Sequence, residues 1–181
     1  MCDKGVGAAL FLTLFRSLIR ATAQSRTFVT WAVDSDPGKA TDSEGQDLEL
    51  LAEETLRNTV ALTNNYVATT HGQTSMFASA FIGLLDPVTG VISYVNAGHE
   101  EAFILGENGI RLTLSPTGPV MGIFAGASHG IASVTLEPGE TLLLYTDGVP
   151  EAKSKDGEQF SEKQLLPLLN PWQGSAEELL R

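Results

Sequence analysis

Cysteine and positive charge are both scarce in this sequence of 181 residues. The single cysteine, Cys2, excludes an internal disulfide framework and indicates a reducing, cytoplasmic compartment. Lys and Arg number 11 against 22 Asp and Glu, which gives a net charge of −11 with histidine neutral. A surface this acidic repels phosphate backbones and anionic lipids, and the few cations are scattered along the chain. We therefore expect neither nucleic-acid nor membrane binding.

The apolar segment near the N-terminus is too short to span a membrane. Residues 5–15 are apolar apart from Thr13, whereas a spanning helix needs about 20 apolar residues. Asp3 precedes this run, and Arg16 and Arg20 place positive charges directly after it, which argues against a secretory signal peptide. The hydrophobic content of 43% is enough for a core. Because one domain takes roughly 100–200 residues, we expect residues 1–181 to form a single domain.

Two helical patterns occupy the first part of the chain. Apolar residues three and four apart predict a helix over residues 8–24, preceded by a glycine-rich loop over 1–7. Asp47 is a suitable N-cap for a second helix that ends near Thr70. Between the helices, β-branched and aromatic residues alternate over 27–33 and predict a short strand, and residues 34–45 predict an exposed turn.

The rest of the sequence is dominated by strand patterns. Residues 76–85 are apolar on both faces of a period-two pattern, which predicts a buried central strand. Further strands are predicted over 91–95, 102–105, 110–114, 131–136 and 141–145, the last as a continuous buried run. Turn residues at 86–90 and the Asn-Gly pair at 108–109 predict two hairpins. Short helices are predicted over 162–169 and 176–180, capped by Ser161 and Ser175. Two helices followed by meandering strands predict an α+β fold, a layered antiparallel β-sandwich flanked by helices.

Asp147 is the most informative polar residue, because it directly follows an apolar strand. At the mouth of a sheet its carboxylate would be held rigidly while it reaches solvent or a cation. Mg²⁺ and Mn²⁺ prefer oxygen ligands, and Gly148 beside it would let the backbone turn and approach closely. A plain Asp-Gly turn accounts for the same residues, so both interpretations stay open at this point.

Two other segments also allow a chemical and a structural interpretation. The glycines of residues 2–7 would expose backbone groups to an ion or phosphate at a helix start, or would allow tight packing there. His99 follows the strand over 91–95 and suits either a ligand or base, or a hydrogen-bonded turn residue. The three histidines show no zinc spacing, and neither a P-loop nor a Gly-x-Ser-x-Gly elbow is present.

Six short motifs occur in an order that resembles a known family. They are Gly-Val-Gly-Ala-Ala-Leu at 5–10, Met-Phe-Ala-Ser at 76–79, Leu-Asp-Pro-Val-Thr-Gly at 85–90, Tyr-Val-Asn-Ala-Gly-His at 94–99, Pro-Gly-Glu at 138–140 and Leu-Tyr-Thr-Asp-Gly-Val at 144–149. Together they resemble the bacterial metal-dependent serine/threonine phosphatases of the PPM family, stage II sporulation protein E type. Each motif alone is weak, but their order and spacing over nearly the whole chain are highly specific.

The resemblance implies a fold, a cofactor and a class of substrate. It implies two stacked antiparallel sheets flanked by helices, with two Mn²⁺ or Mg²⁺ ions that activate a water for attack on phosphoserine or phosphothreonine. Asp147 matches a metal-binding aspartate of that family and would therefore be the catalytic ligand. The implied partner is a phosphorylated protein, in particular an anti-sigma-factor antagonist in a bacterial regulatory switch. The two predicted helices match a pair that in related enzymes can switch activity.

The sequence departs from the family pattern at both ends. The aspartate that bridges the two ions would lie immediately before Met1, and the closing Asp-Asp-x-Thr strand would lie after Arg181. Asp3 is nearby, at a position where the family varies, and with Asp147 and Gly148 it completes the set of candidate ligands. We therefore expect a partial domain that binds metal weakly and turns over slowly, with open sheet edges that invite pairing into a homodimer. The alternative is a non-catalytic pseudophosphatase that serves as a protein-docking module.

Overall fold

Residues 6–33, 44–71 and 76–171 are described by a computed structural model of the chain and contain three helices and six strands. The helices are α1 (Val6–Val33), α2 (Glu44–His71) and α3 (Glu162–Leu169). The strands are β1 (Ala80–Leu85), β2 (Val91–Ala97), β3 (Ala102–Gly106), β4 (Gly109–Leu114), β5 (Ala132–Thr135) and β6 (Thr141–Leu143). Within these ranges, every helix is too short or too polar to cross a membrane.

The six strands form two antiparallel sheets of three strands each. The strand orders are β1-β2-β5 and β4-β3-β6, so β2 and β3 are the central strands. In the first sheet Ala80 lies opposite Ala97 and Leu85 lies opposite Ile92. In the second sheet β3 pairs with β4 through the predicted Asn-Gly hairpin and with β6 on its other side. The predicted α+β fold with two layered antiparallel sheets is confirmed.

Both central strands are buried on both faces, which makes the molecule a stack of four layers. On β2, Ile92 and Tyr94 pack against Ile104 of β3 and form the core between the sheets. Val95 and Ala97, on the opposite face of β2, pack against the helices. This alternation follows from the period of two along a strand. Because both faces of β2 are buried, most of its residues are apolar.

Helices cover the outer face of each sheet. Phe11 and Phe15 of α1 and Val60 and Val67 of α2 are buried against the first sheet. On the far side of the sandwich, Phe103 and Leu105 of β3 pack against Leu169 of α3 and against Tyr145. The order of layers is therefore α1 and α2, first sheet, second sheet, α3.

The strand predicted over residues 27–33 is wrong, because α1 continues without a break to Val33. β-Branched and aromatic residues lower helix propensity only slightly, and extending a formed helix is much easier than starting one. Similarly, Asp47 does not cap α2 but lies inside it, since α2 begins at Glu44. Val6 and Gly7, predicted to lie in a loop, are the first residues of α1. Glu44 and Gly45, predicted to lie in an exposed turn over 34–45, belong to α2. Residues 34–43 lie outside the described residues, as do Cys2, Asp3 and the helix predicted over 176–180.

The strand predicted over residues 76–85 is shorter and more exposed than expected. Regular pairing begins at Ala80, and β1 is an edge strand among the described strands instead of a central one. Residues Gly83, Leu84 and Leu85 are exposed. The hairpin to β2 is confirmed, and so is the helix over 162–169, where Gln164 Oε1 accepts a hydrogen bond from the Ser161 N–H at 3.2 Å. The strand predicted over 141–145 ends at Leu143, and its residues are half-buried.

Candidate active site

A cleft of about 220 Å³ lies where β2 and β6 end and β1 begins. Its lining residues come from three separate segments of the chain: Ser79, Gly98, His99, Glu100, Thr146 and Asp147. Ser79 immediately precedes β1, residues 98–100 follow β2, and residues 146–147 follow β6. Antiparallel pairing of β1 with β2 brings the first two of these segments together. The cleft is therefore a consequence of the sheet topology.

Asn96, the penultimate residue of β2, determines the shape of one wall of the cleft. Its side chain is fully buried, and its Oδ1 accepts a hydrogen bond from the His99 N–H at 2.9 Å. Its Nδ2 donates to the carbonyl oxygens of Glu100, at 3.1 Å, and Leu114, at 3.4 Å. One amide group thus satisfies three backbone groups in the turn and the neighbouring strand. We call residues 96–100 the β2 wall.

Gly98 permits the sharp turn within the β2 wall. Its φ of +62° is in the left-handed region, which strongly favours glycine. A Cβ at this position would lie 2.6 Å from Val120 Cγ1 and 2.8 Å from the Val120 backbone nitrogen. Both the conformation and the packing therefore require glycine before His99.

The opposite wall consists of residues 146–149 and carries Asp147. We call this segment the β6 wall. It is exposed, and backbone hydrogen bonds hold it: Val149 N–H donates to Thr146 O at 3.0 Å, and Glu151 N–H donates to Asp147 O at 2.9 Å. Within the described part of the chain, the Asp147 carboxylate makes no hydrogen bond or ion pair. A carboxylate in this position is free to bind a ligand from solvent.

Gly148 lies beside Asp147 in an exposed turn, and its backbone conformation does not require glycine. It is not among the glycines with positive φ, and an added Cβ would make an ordinary contact with Thr146 Oγ1 at 3.4 Å. The predicted close approach of a ligand to this backbone therefore stays a prediction.

Tyr145 anchors the β6 wall in the core. Its ring stacks on that of Phe103 with centroids 6.0 Å apart and an interplanar angle of 10°. Its hydroxyl is buried and has no hydrogen-bond partner among the described residues. Burial raises the pKa of this phenol to about 12, with smaller contributions from three carboxylates, those of Glu162, Glu100 and Glu101. The wall is thus fixed by a buried ring two residues before Asp147.

A segment next to Ser79, which does not itself line the cleft, is tied to α2. Met121 pairs with Ala78, next to Ser79, through two backbone hydrogen bonds of 3.0 and 2.8 Å. The next residues are held by the fully buried Asn64 of α2, whose Oδ1 accepts from Gly122 N–H at 2.9 Å. Asn64 Nδ2 donates to the carbonyl of residue 124 at 2.8 Å. Asn64 therefore fixes a backbone segment outside the cleft lining, whereas Asn96 fixes the β2 wall.

The donors of the cleft suit a hard divalent cation but are few. Asp147 and Glu100 bring carboxylates, and Ser79 and Thr146 bring hydroxyl groups. In residues 6–33, 44–71 and 76–171, no group of three or more His, Cys, Asp or Glu side chains is arranged to hold a metal ion. Asp3 lies outside these ranges. The described residues alone therefore do not fit a complete two-ion site.

The structure places the predicted site residues unequally. Asp147 lies in the cleft with Gly148 beside it, whereas Asp3 lies outside the described residues. His99 is a hydrogen-bonded turn residue and also lines the cleft, so the two interpretations of it do not exclude each other. The sequence reasoning did not single out Ser79 and Glu100 as site residues. Their only signal was their position next to strand ends, with Ser79 at the end of the motif over 76–79 and Glu100 directly after the motif over 94–99.

Comparisons with known proteins agree with this architecture. The sequence pattern of the family described as Stage II sporulation protein E (SpoIIE) matches residues 1–181. Protein IcfG from Synechocystis sp. is 41% identical over 169 residues, which are 93% of this chain and 26% of IcfG. Phosphoserine phosphatase RsbP from Bacillus subtilis is 40% identical over 58 residues, which are 32% of this chain and 14% of RsbP. The chain thus spans about a quarter or less of the length of these relatives.

A solved structure shows the same fold. The crystal structure of the RsbU and RsbW domains of Rv1364c from Mycobacterium tuberculosis superimposes with a TM-score of 0.60 at 21% identity. The superposition covers 92% of this chain and 38% of that chain. Fold likeness and the match over residues 1–181 together confirm the resemblance in the motifs, and the chain belongs to the SpoIIE family of PPM-type phosphatase domains.

Proposed function

We propose that this protein hydrolyses the phosphate ester of phosphoserine or phosphothreonine in a protein substrate, and that the cleft at Asp147 is the site of reaction. Membership of the SpoIIE family supports protein phosphatase activity, and one relative is named a phosphoserine phosphatase. The observation that carries the assignment to this cleft is the exposed Asp147 carboxylate, which has no partner among the described residues and faces a cleft at the strand ends.

Asp147 is the proposed ligand of a divalent cation, Mn²⁺ or Mg²⁺, with Gly148 and Asp3 as further candidates. Two such ions bring four positive charges together, and the Asp147 carboxylate offsets only one of them. Repulsion between two dications a few ångströms apart is large unless further carboxylates join them. We therefore propose that the chain of 181 residues binds the ions weakly and turns over slowly.

The proposed substrate is a phosphorylated protein, specifically an anti-sigma-factor antagonist in a cytoplasmic regulatory switch. The motif resemblance and the relatives support this class of partner, since one relative is named RsbP and one solved chain contains RsbU and RsbW domains. Pairing of two copies along an edge strand such as β1 stays part of the proposal. Its check is the mass of the protein in solution.

The experiment is a measurement of Mn²⁺-dependent phosphate release from a phosphoserine-containing protein by the wild-type chain and by Asp147→Asn. We expect slow release by the wild type and loss of at least about 100-fold in the variant, because even groups that only support metal ligands contribute about 10–100-fold. Asp156→Asn is the matched control, since it removes one charge from another exposed turn that does not line the cleft. Full activity of Asp147→Asn would refute the assignment of the reaction to the cleft at Asp147. Rapid turnover by the wild type would refute the proposal that this chain binds the ions weakly and turns over slowly.

A second candidate function is a non-catalytic docking module. It is favoured by the absence, in the described ranges, of any group of three potential metal ligands among His, Cys, Asp and Glu. The two functions differ in the same assay. A docking module binds the phosphoprotein without Mn²⁺-dependent release of phosphate, whereas the phosphatase releases it.

A further inference from the structure

His99 differs in chemistry from every other described residue that lines the cleft. Ser79 and Thr146 bring hydroxyl groups, and Glu100 and Asp147 bring carboxyl groups. A phosphoryl group carries negative charge, so the two carboxylates repel it. Among the described lining residues, only the His99 side chain can carry positive charge and donate a charge-assisted hydrogen bond. Among the described lining residues, His99 is therefore the one whose side chain can match the charge of a phosphorylated side chain that enters the cleft.

The His99 ring also has a nitrogen available for a ligand. Nδ1 lies 3.4 Å from the Glu100 carbonyl oxygen. Nε2 makes no hydrogen bond within the described part of the chain and can donate to a phosphoryl oxygen when it carries a proton. Mg²⁺ and Mn²⁺ prefer carboxylate, carbonyl and water ligands over imidazole. The phosphoryl oxygens are therefore a better match for His99 than the divalent ions are.

The backbone on both sides of the His99 side chain is held by a buried side chain, in addition to the turn itself. The buried Asn96 side chain accepts from the His99 N–H and donates to the Glu100 carbonyl, so it holds the residue on both sides. The backbone of Asn96 is itself held by Thr117. The Asn96 backbone N–H donates to Thr117 Oγ1 at 3.1 Å, and the Thr117 N–H donates to the Asn96 backbone carbonyl at 2.8 Å. A buried amide used in this way is typical of a site in which the direction of one side chain matters.

We propose that His99 binds the phosphoryl group of the substrate and that Asn96 is the positioning residue that directs it into the cleft. The identity of the ligand rests on the proposed function, whereas the positions of His99 and Asn96 come from the structure itself. It adds a phosphoryl-binding side chain on the β2 wall, opposite the carboxylate of the β6 wall. It does not depend on which residues hold a metal ion.

The test is proton NMR of the histidine rings of the whole chain while inorganic phosphate is added in a Mg²⁺-containing buffer. The chain has three histidines, so single substitutions assign each ring. We expect saturable shifts of the His99 ring signals. The buried His129, whose Nε2 lies 2.8 Å from the Pro119 carbonyl oxygen, and His71 at the end of α2 are internal controls whose signals stay in place. His99 signals that do not move, or that move no more than those of the controls, overturn the proposal.

Two pairs of variants separate positioning from stability. Asn96→Ala should weaken phosphate binding at His99 by about tenfold or more, because the His99 ring is no longer held in the direction of its charge-assisted hydrogen bond to the phosphoryl group. Asn64→Ala removes an equally buried amide from the segment after Met121 and should leave the phosphate affinity unchanged. His99→Gln keeps a donor and should retain part of the affinity, whereas His99→Leu should lose it. Equal affinities in Asn96→Ala and wild type would contradict the positioning role.

Phosphate release distinguishes failure of this inference from failure of the proposed function. If the wild type releases phosphate and His99→Leu does so with the same kcat and KM, the inference fails while the function stands. If no release occurs but phosphate still shifts the His99 signals, the function fails while the binding site stands. A raised KM together with a lowered kcat in His99→Leu, with partial recovery in His99→Gln, is the result that we expect.

Discussion

The two walls of the cleft are built by different means. The β2 wall is buried at its base, and the Asn96 side chain makes three hydrogen bonds to backbone groups around it. The β6 wall is exposed, and between Thr146 and Glu151 it relies on backbone turns alone, with Asp147 unpartnered among the described residues. The β2 wall is therefore held by side-chain hydrogen bonds, whereas the β6 wall presents a carboxylate that has no partner among the described residues.

This difference separates the positions that determine stability from those that determine binding. Residues of the β2 wall satisfy backbone groups that would otherwise be buried without partners, so changes there affect the folded state itself. Exposed charges make little contribution to stability, and changes at Asp147 should affect only the binding of ligands in the cleft. A residue such as His99, which belongs to the fixed wall but faces the cleft, combines both properties.

The largest expected effect on stability comes from truncating Asn96 of the β2 wall, and the comparison is with truncation of Asp147 in the β6 wall. Asn96→Ala leaves the His99 N–H and the Glu100 and Leu114 carbonyls without their partner. We expect the free energy of unfolding to fall by about 2–4 kcal/mol. Asp147→Ala should change it by less than about 0.5 kcal/mol. Urea denaturation followed by circular dichroism measures both, and equal losses in the two variants would abolish the contrast between the walls.

Sequence patterns predicted the fold well where local signals decide it. The Asn-Gly turn, the turn over 86–90 before β2 and the helix start at Ser161 are local, and the corresponding elements form. The extension of α1 to Val33 follows from propagation of a helix that has already formed, and the edge position of β1 is decided by which strands pair with it. Apolar residues on both faces of residues 76–85 do not reveal whether a second strand pairs on either side.

The site was predictable only in part, for a similar reason. Asp147 was found because a carboxylate directly after an apolar strand is visible in the sequence itself. Asn96 was not recognised as the organiser of the opposite wall, because one of its partners, Leu114, lies 18 residues away along the chain. The hydrogen bonds of a buried amide depend on the assembled sandwich, so periodicity carries no signal for them.

A smaller effect is expected at the start of β6, the end of the strand away from the cleft. Arg111 of β4 forms an ion pair with Glu140, next to β6, and donates to the Thr135 carbonyl at 2.7 Å. Burial acts to raise the pKa of Glu140, but the hydrogen bond and charge of Arg111 and the Glu137 N–H outweigh it and lower that pKa below 4.5. We expect Arg111→Ala to lower the free energy of unfolding by about 1 kcal/mol or less, since the arginine is partly exposed.

The effect of Arg111→Ala should depend on pH with a definite sign. Because the pKa of Glu140 is depressed in the folded state, its stabilisation is complete above the ordinary value of 4.5 and is lost as the pH falls through the folded value. The difference in unfolding free energy between wild type and variant should therefore shrink from about pH 7 to about pH 3. A difference that grows on acidification would show that this ion pair does not stabilise the folded state.

A change in unfolding free energy close to zero, of either sign, is expected for Tyr145→Phe. The buried hydroxyl has no partner among the described residues, whereas the ring keeps its stacking on Phe103 in the variant. Removal of an unsatisfied polar group is close to neutral or stabilising, so the free energy of unfolding should change by less than about 1 kcal/mol. A larger loss, measured by thermal denaturation, would reveal a hydrogen bond that makes the β6 wall as firmly built as the β2 wall.

We propose that the Asp147 carboxylate on the exposed wall binds a divalent cation. Titration calorimetry of Mn²⁺ into the wild-type chain and into Asp147→Asn tests this binding without any substrate. We expect weak binding by the wild type and an affinity at least about tenfold lower in the variant, whose fold stays intact. The same binding curve for both proteins would contradict it.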